Sequence, residues 1–273
     1  MKLYRTQLGT IAQSEEGVRI IDFAFDELML EEDPARIVAD AFSNGTPASI
    51  DSQTILAPVA DQEVWAAGVT YYKSRDARIE EAAAAGGGDF YDRVYAAERP
   101  ELFYKSAPHK VVGPGDDVRI RRDATWSVPE AEVTLVVSPQ GRIVGYTIGN
   151  DMSSRDIEGA NPLYLPQAKV YDGACAIGPC ILLQNDPLPQ DTAIHMEVHR
   201  GGERVYSGST TFSELKRSPG ELVEYLYRET RFTNGCMLMT GTGIVPDSTF
   251  SLAHEDEIRI TVEGIGTLSN RVA

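Results

Sequence analysis

The sequence has few cysteines, a deficit of positive charge and no long hydrophobic run. Its three cysteines, Cys175, Cys180 and Cys236, give neither an even set for disulfides nor a Cys-x-x-Cys pair for zinc or redox chemistry. We therefore expect buried, reduced thiols in a cytoplasmic protein. No apolar stretch approaches the roughly 20 residues that span a bilayer, and the first residues lack the apolar core of a secretory signal.

The charge balance excludes further classes of partner. The chain of 273 residues has 25 Lys and Arg against 41 Asp and Glu, which gives a net charge of −16. A polyanionic surface repels nucleic acid and anionic lipid headgroups, so we expect neither as a partner. An anionic substrate would then have to be attracted locally, by a metal ion or by a few cations.

The length and the hydrophobic pattern of the chain predict a β-rich α+β fold of one or two domains. Residues 1–58 combine short alternating runs with a helical pattern at 33–42, which predicts a small N-terminal domain. From residue 59 to 273 most runs have strand length, apart from a helix predicted at 218–228. Residues 74–88 combine helical spacing with three final glycines, which predicts a closing lid; the alternative is a loop without a function.

Two β-branched runs around a Pro/Gly turn, at 129–137 and 142–151, predict a hairpin. Side chains alternate along a strand, so Glu130 and Glu132 point to one face. Pairing of the two runs places Asp151 on that face as well.

The register of this hairpin predicts how close the carboxylates are. If Val137 pairs with Arg142, Glu130 lies opposite Gly149. Asp151 is then one diagonal step from Glu130, roughly 7–8 Å between backbones. Side chains at that distance can reach one point.

Three converging carboxylates repel one another unless protons or a cation intervene. Oxygen ligands suit a hard divalent ion, so we expect Mg²⁺, with Mn²⁺ or Ca²⁺ as alternatives. The competing interpretation is that Glu130 and Glu132 form the solvent face of a half-exposed strand.

The chain resembles the fumarylacetoacetate hydrolase family over roughly residues 60–270. The resemblance rests on an ordered set of motifs: Gly68-Val69-Thr70-Tyr71, Pro129-Glu130-Ala131-Glu132, Gly149-Asn150-Asp151 through Ser153-Ser154-Arg155-Asp156, Lys169, and Thr240-Gly241-Thr242-Gly243-Ile244-Val245. It implies a mixed β-sandwich roll and a homo-oligomer, a dimer or a tetramer.

The resemblance also implies residue roles. Glu130, Glu132 and Asp151 match the family's ligands to a divalent metal, while Lys169 and Thr242 match positions that face the substrate. Gly241 precedes Thr242, and its backbone N–H and the Thr242 hydroxyl are typical of an anion pocket. The alternatives for Lys169 are an ion pair with Asp156 or Asp172, or a Schiff base with the substrate.

One departure from the family pattern concerns the reaction. The hydrolases have a histidine shortly after the tyrosine that corresponds to Tyr71, whereas this chain continues with Tyr72-Lys73-Ser74-Arg75. That segment resembles the branch of 2-keto-3-deoxy-D-arabinonate dehydratases, which implies that Ser74 and Arg75 bind substrate. Glu101 matches an acid/base position of the same branch; its alternative is a surface carboxylate after a proline.

The sequence thus predicts a metal-dependent dehydratase that converts 2-dehydro-3-deoxy-D-arabinonate, a small 2-oxo sugar acid, to 2,5-dioxopentanoate. Glu101 and Lys169 are the predicted catalytic residues. The alternatives are a carbon–carbon bond hydrolase of acylpyruvates or diketo sugar acids, an oxaloacetate decarboxylase, and a non-catalytic module that binds 2-oxo acids.

Overall fold

A computed structural model describes residues 1–50, 55–72 and 94–273 of the chain. Seventeen strands are assigned in this part. They are β1 Lys2–Thr6, β2 Gly9–Ser14, β3 Gly17–Ile21, β4 Thr46–Pro47, β5 Glu63–Gly68, β6 Glu101–Ser106, β7 Asp117–Val118, β8 Ser127–Val128, β9 Ala131–Val137, β10 Ile143–Asp151, β11 Ser153–Ser154, β12 Cys175–Leu183, β13 Ala193–Arg200, β14 Glu203–Thr211, β15 Cys236–Met239, β16 Glu257–Val262 and β17 Gly266–Val272.

The helices of the described part are short. They are α1 Phe25–Leu28, α2 Pro34–Phe42, α3 Arg155–Ala160, α4 Leu165–Lys169 and α5 Pro219–Tyr227, with 3₁₀ turns at Pro108–Lys110, Pro162–Tyr164 and Phe212–Glu214. The two longest confirm the predicted helices, and each begins after a side-chain cap followed by proline, Asp33 for α2 and Ser218 for α5. None of the helices in these described segments is long and apolar enough to cross a membrane.

Two large sheets and one small pair make up the β structure. The first has ten strands in the order β4-β3-β2-β1-β12-β10-β9-β15-β5-β6, and the second has five in the order β14-β13-β16-β17-β7. Strands β8 and β11 form the pair. The β-rich α+β fold predicted from the sequence is confirmed. Because β1 pairs with β12, the N-terminal strands continue the ten-stranded sheet, and the division into two domains at residue 58 stays a prediction.

The ten-stranded sheet curls back on itself. After β6 the chain passes Val112, which forms a parallel bridge with Ala176 of β12. Val112 donates its N–H to the carbonyl of Cys175, and its own carbonyl accepts from Ile177. The strands from β12 to β6 therefore form a closed roll, with one face inside and one outside.

The two faces of the roll pack against different partners. On the outer face, residues such as Val133 and Leu135 share a core with Met196 and Ile260 of the five-stranded sheet. The inner face shares a second core with the N-terminal helices. All three cysteines are buried free thiols, as predicted.

Candidate active site

The hairpin of β9 and β10 brings the three predicted metal ligands together on the inner face of the roll. Gly149 lies opposite Glu132, and the N–H of Asp151 donates to the carbonyl of Glu130 at 3.0 Å. The predicted pairing of Glu130 with Gly149 is therefore wrong by two residues, because the turn is one residue longer and a bulge near the start of β10 adds another. An even shift returns every side chain to its face, so the carboxylates still meet.

The three carboxylates are buried and close together. One oxygen from each lies within 4.8 Å of the others, and the exposed fraction is 6% for Glu130 and 1% for both Glu132 and Asp151. Burial, together with the charges of Asp151 and Glu130, raises the pKa of Glu132 well above its ordinary range. This burial excludes the interpretation of Glu130 and Glu132 as a solvent-exposed face.

Lys169, at the end of α4, contacts two of the carboxylates. Its Nζ lies 2.7 Å from Oε2 of Glu130 and 2.9 Å from Oδ2 of Asp151, and it donates to Oγ of Ser153 at 2.5 Å. The Phe103 ring lies 5.8 Å from the same ammonium, within the range of a cation–π contact. Lys169 is thus a buried cation in direct contact with two of the three predicted metal ligands.

The ion pairs considered as alternatives for Lys169 are wrong. Asp172 pairs with Lys110 at 2.9 Å, and Asp156 accepts from the N–H of Thr125 at 2.7 Å. Both aspartates therefore have other partners, and Lys169 belongs to the carboxylate cluster.

Lys105 is a second buried cation of the cluster. Its ammonium ion-pairs with Oδ1 of Asp151 and donates to the carbonyls of Lys169 at 2.6 Å and Met152 at 3.1 Å. Lys105 belongs to β6 and Asp151 to β10, four strands apart in the sheet order. In a flat sheet that separation is roughly 19 Å, which no side chain spans, so the contact depends on the closure of the roll.

Arg155, at the start of α3, is the third cation. Its Nη1 lies 3.0 Å from Oε1 of Glu130, and its guanidinium lies over the Trp126 ring. Counted formally over the described residues, the three carboxylates of the cluster face three cations, while Glu101 and Glu158 add two negative charges to the cavity. A divalent cation would offset those two charges.

Glu101 lines the same cavity as the three carboxylates. It begins β6, opposite Gly68 of β5. A Cβ atom at Gly68 would collide with the Glu101 carboxylate, so the glycine makes room for it. Glu101 is half-buried beside the carboxylate cluster, and the alternative of a surface carboxylate is wrong.

Gly241 and Thr242 form another wall of the cavity. The N–H of Gly241 donates to Oε2 of Glu132 at 2.5 Å. Gly241 has φ +93°, and a Cβ there would collide with the Thr70 hydroxyl, so the position requires glycine. The Thr242 hydroxyl accepts from the N–H of Ile244 at 3.1 Å. Their binding of substrate stays a prediction.

Three residues of the site were missed in the sequence. Arg155 and Glu158 line the cavity from one side of α3, and Lys105 supports Asp151. The signal for Lys105 was available, because a period of two places it on the same face of the strand as Glu101. The predicted substrate residues Ser74 and Arg75, and the predicted lid at 74–88, lie outside the described residues.

The residues present fit a hard divalent cation. The donors of Glu130, Glu132 and Asp151 are carboxylate oxygens, which are the ligands preferred by Mg²⁺, Mn²⁺ and Ca²⁺. Three carboxylates also leave positions for a chelating substrate. The site could therefore hold a metal and a small anion together.

Comparison with known proteins agrees with this geometry. A family model described as "Fumarylacetoacetate (FAA) hydrolase C-terminal" matches residues 64–273. A probable 2-keto-3-deoxyxylonate dehydratase of Haloferax volcanii is 47% identical over 244 residues, 89% of this chain and 80% of the relative. A 2-dehydro-3-deoxy-D-arabinonate dehydratase of Saccharolobus solfataricus is 39% identical over 221 residues, 80% of this chain and 74% of the relative.

A solved structure is also similar over the whole chain. It is described as 2-keto-3-deoxy-D-arabinonate dehydratase complexed with magnesium and 2,5-dioxopentanoate. The TM-score is 0.82 at 32% sequence identity, and the match covers 100% of this chain and 98% of the other.

Proposed function

The chain belongs to the fumarylacetoacetate hydrolase family, and within that family we propose that it dehydrates 2-dehydro-3-deoxy-D-arabinonate to 2,5-dioxopentanoate. The observation that carries the proposal is one cavity lined by three converging buried carboxylates and by Glu101. The three carboxylates would hold a metal ion that binds a 2-oxo acid. Glu101 would transfer protons, which a protein that only binds a 2-oxo acid would not need.

Glu130, Glu132 and Asp151 would hold the divalent ion, with Mg²⁺ as the proposed metal. When bound, such an ion supplies Lewis acidity for a 2-oxo acid. The Lys169 ammonium can pair with the substrate carboxylate, since Lys169 lines the cavity. In this proposal it binds and orients, and it forms no Schiff base.

Glu101 would carry the protons. Removal of a C3 proton by its carboxylate, with departure of the C4 hydroxyl as water, leaves a double bond between C3 and C4. Formation of the C5 aldehyde then requires protons to move from C5 to C3 and from the C5 hydroxyl to C4. A half-buried carboxyl beside the substrate can accept and return protons in each of these steps.

The positions of the histidines argue against the hydrolase alternative. His109, His195, His199 and His254 all lie in the described part of the chain, and none lines the cavity. A water-activating imidazole is therefore not supplied by these residues. Outside the carboxylate cluster, the described residues of the cavity include Glu101 and Glu158, and Glu101 is the proposed base.

We also propose that Ser74, Arg75, Thr242 and Gly241 contact the substrate, as the resemblance implies. A cytoplasmic location is supported by three buried free thiols. A homo-oligomer, dimer or tetramer, rests on the family resemblance. Light scattering after size exclusion tests it, since the mass would be two or four times 29.8 kDa.

The central experiment compares three substrates. Purified protein with Mg²⁺ is incubated with 2-keto-3-deoxypentonate, an acylpyruvate or oxaloacetate, and products are followed by mass spectrometry. We expect the pentonate to lose one water, and a chelator to abolish the loss. Pyruvate formed only from acylpyruvate would support the hydrolase, pyruvate formed only from oxaloacetate would support the decarboxylase, and binding without turnover would support the non-catalytic module.

A further inference from the structure

A short stretch of chain outside the cavity, residues 215–217, holds the two segments that lie next to Glu101. This stretch comes directly before α5 and does not line the cavity. It contacts residues 70–71, which follow β5, and residues 94–98, which precede β6. Glu101 begins β6 and pairs with the last residue of β5, so both segments bear on where its carboxylate lies.

The backbone after β5 is held at Thr70. The N–H of Lys216 donates to the carbonyl of Thr70 at 2.9 Å, and the Thr70 hydroxyl donates to the carbonyl of Thr240 at 2.6 Å. The next residue, Tyr71, forms an antiparallel bridge with Leu215. The end of β5 is therefore fixed on two sides.

Arg217 holds the turn before β6. Its side chain is buried, with 6% of the residue exposed. Nη2 donates to the carbonyls of Ala97 at 2.6 Å and Val94 at 3.4 Å, and Nη1 donates to the carbonyl of Glu98 at 3.0 Å. Nη1 also lies 2.6 Å from Oε1 of Glu221, and this pairing offsets the cost of burying the charge. One guanidinium thus connects three backbone carbonyls of the turn to α5.

Lys216 connects the same two segments through its side chain. Its ammonium donates to the carbonyl of Tyr95 and lies 3.7 Å from the centre of the Tyr95 ring, within the range of a cation–π contact. The Tyr95 ring in turn lies 5.8 Å from the ring of Tyr72. Because the backbone N–H of the same lysine binds Thr70, one residue links the chain after β5 to the chain before β6.

The Glu101 carboxylate is sensitive to the relative placement of these segments. A Cβ atom at Gly68 would collide with Oε2 of Glu101, so the carboxylate packs directly on the end of β5. Pro100 separates Glu101 from the turn at 94–98, and its ring fixes one backbone dihedral. A displacement of the turn is therefore passed on to Glu101.

We propose that Arg217 is a positioning residue for Glu101. By holding the turn at 94–98 against α5, it sets the place of the Glu101 carboxylate in the cavity. The proposal rests on the proposed dehydration, in which Glu101 carries the protons. Loss of Arg217 should then lower the rate only while Glu101 can transfer protons, whereas a residue that merely stabilises the fold would act with or without it.

A double-mutant cycle tests this dependence, since residues that act through one another have effects that do not add. The parameters kcat and KM for 2-keto-3-deoxypentonate with Mg²⁺ are measured in the wild type, Arg217→Met, Glu101→Gln and the double variant. The control is Arg204→Met, which removes an exposed arginine paired with Glu197 on the five-stranded sheet.

We expect Arg217→Met to lower kcat by roughly tenfold or more, as a displaced catalytic group does, with KM and Mg²⁺ affinity unchanged. The double variant should have the kcat of Glu101→Gln, and Arg204→Met should have that of the wild type. Losses that multiply in the double variant would overturn the proposal. So would a wild-type kcat in an Arg217→Met protein that is folded as judged by circular dichroism.

Arg217→Lys covers the case in which Arg217→Met does not fold. It keeps the charge beside Glu221, but a single ammonium nitrogen cannot replace the two guanidinium nitrogens that bind the carbonyls of the turn. We expect a lower kcat than in the wild type, and no further loss in the Glu101→Gln background. An unchanged kcat in Arg217→Lys overturns the proposal.

A measurement without substrate separates the positioning role from the proposed reaction. In protein labelled with ¹³C at the glutamate side-chain carboxyls, the resonance that is missing from Glu101→Gln belongs to Glu101. We expect it to shift in Arg217→Met and to stay in place in Arg204→Met. A shift in a protein that does not dehydrate the pentonate refutes the reaction and leaves the positioning role standing. No shift overturns the positioning role, whether or not the pentonate is dehydrated.

Discussion

Buried carboxylates need partners, and in this protein their partners are nearby cations and a backbone N–H. Removing charges from water costs several kcal/mol per ion unless close pairing offsets it. Lys105, Lys169 and Arg155 surround two of the acidic side chains, and the N–H of Gly241 serves Glu132. The same groups that allow the carboxylates to be buried also fix their orientation.

Mutation should distinguish the role of Glu130 in metal binding from the role of Glu101 in proton transfer. Glu130→Gln removes a ligand charge, so we expect Mg²⁺ affinity to fall by about tenfold or more, which corresponds to 1.4 kcal/mol per factor of ten. Glu101→Gln should leave that affinity unchanged and lower kcat by roughly 10²–10⁴. Calorimetry and steady-state kinetics measure the two effects, and full activity in Glu101→Gln would refute its role.

Substitution of Gly68 should lower the reaction rate only by displacing the Glu101 carboxylate. In Gly68→Ala the new methyl group displaces the Glu101 carboxylate, and a misplacement of this kind costs about 100-fold in rate. Mg²⁺ affinity should stay at the wild-type level, because Gly68 is on β5 and the ligands are on or beside β9 and β10. The matched control is Gly220→Ala in α5, where nothing lies within 4 Å of the added atom. Wild-type kcat/KM in Gly68→Ala would contradict the proposed placement.

At the scale of elements, the β9–β10 hairpin shows which errors in the predicted register leave the predicted face of each side chain unchanged. The pairing differs from the prediction by two residues. Because side chains repeat every two residues, a shift of two preserves the face, whereas a shift of one would have moved Asp151 to the opposite side of the sheet. The convergence of the three carboxylates was therefore predicted correctly from a register that was wrong.

The N-terminal cap of helix α5 can be tested for its contribution to protein stability without changing the candidate active site. Ser218 caps the helix by accepting from the N–H of Glu221 at 3.2 Å. Ser218→Ala should lower the free energy of unfolding by about 1 kcal/mol with an unchanged urea m-value. Activity should persist, and Ser248→Ala, at an exposed serine outside the helices, serves as the control. An equal loss in both variants would show that the cap contributes nothing specific.

At the scale of the whole molecule, the surplus of negative charge and the charge of the cavity are independent. The chain carries −16 overall, yet the carboxylate cluster is formally balanced by three buried cations. Glu101 and Glu158 also line the cavity, so a divalent ion would bring the formal charge of these described groups to zero. The positive groups inside the cavity can therefore bind a small acid although the surface as a whole repels it.

The stabilisation of the protein by Mg²⁺ should grow with pH. The raised pKa of Glu132 favours its protonated form, so its contribution to folding is complete below about pH 4 and is lost as pH rises through the raised pKa. Metal binding requires the ionised carboxylate and releases the proton. The increase in Tm on adding Mg²⁺ should be larger near pH 8 than near pH 5.

Thermal melts with and without Mg²⁺ at both pH values measure this effect. Glu132→Gln has no proton to release at this position and should lose much of the pH dependence. An increase in Tm that is the same at both pH values in the wild type would contradict the competition between proton and metal at Glu132.

The sequence by itself determined the features that depend on local periodicity. Alternation along two strands placed Glu130, Glu132 and Asp151 on one face, and helical patterns predicted α2 and α5. These features need only neighbours in the chain or across a hairpin, so no knowledge of the distant fold was required.

Only the tertiary structure decided how distant strands meet. Lys105 and Asp151 are 46 residues apart in the chain and four strands apart in the sheet, and they touch because Val112 closes the roll onto β12. A strand pattern fixes the face of a side chain and says nothing about how far the sheet curls. The contact of Lys105 with Asp151 therefore depends on the closure of the roll.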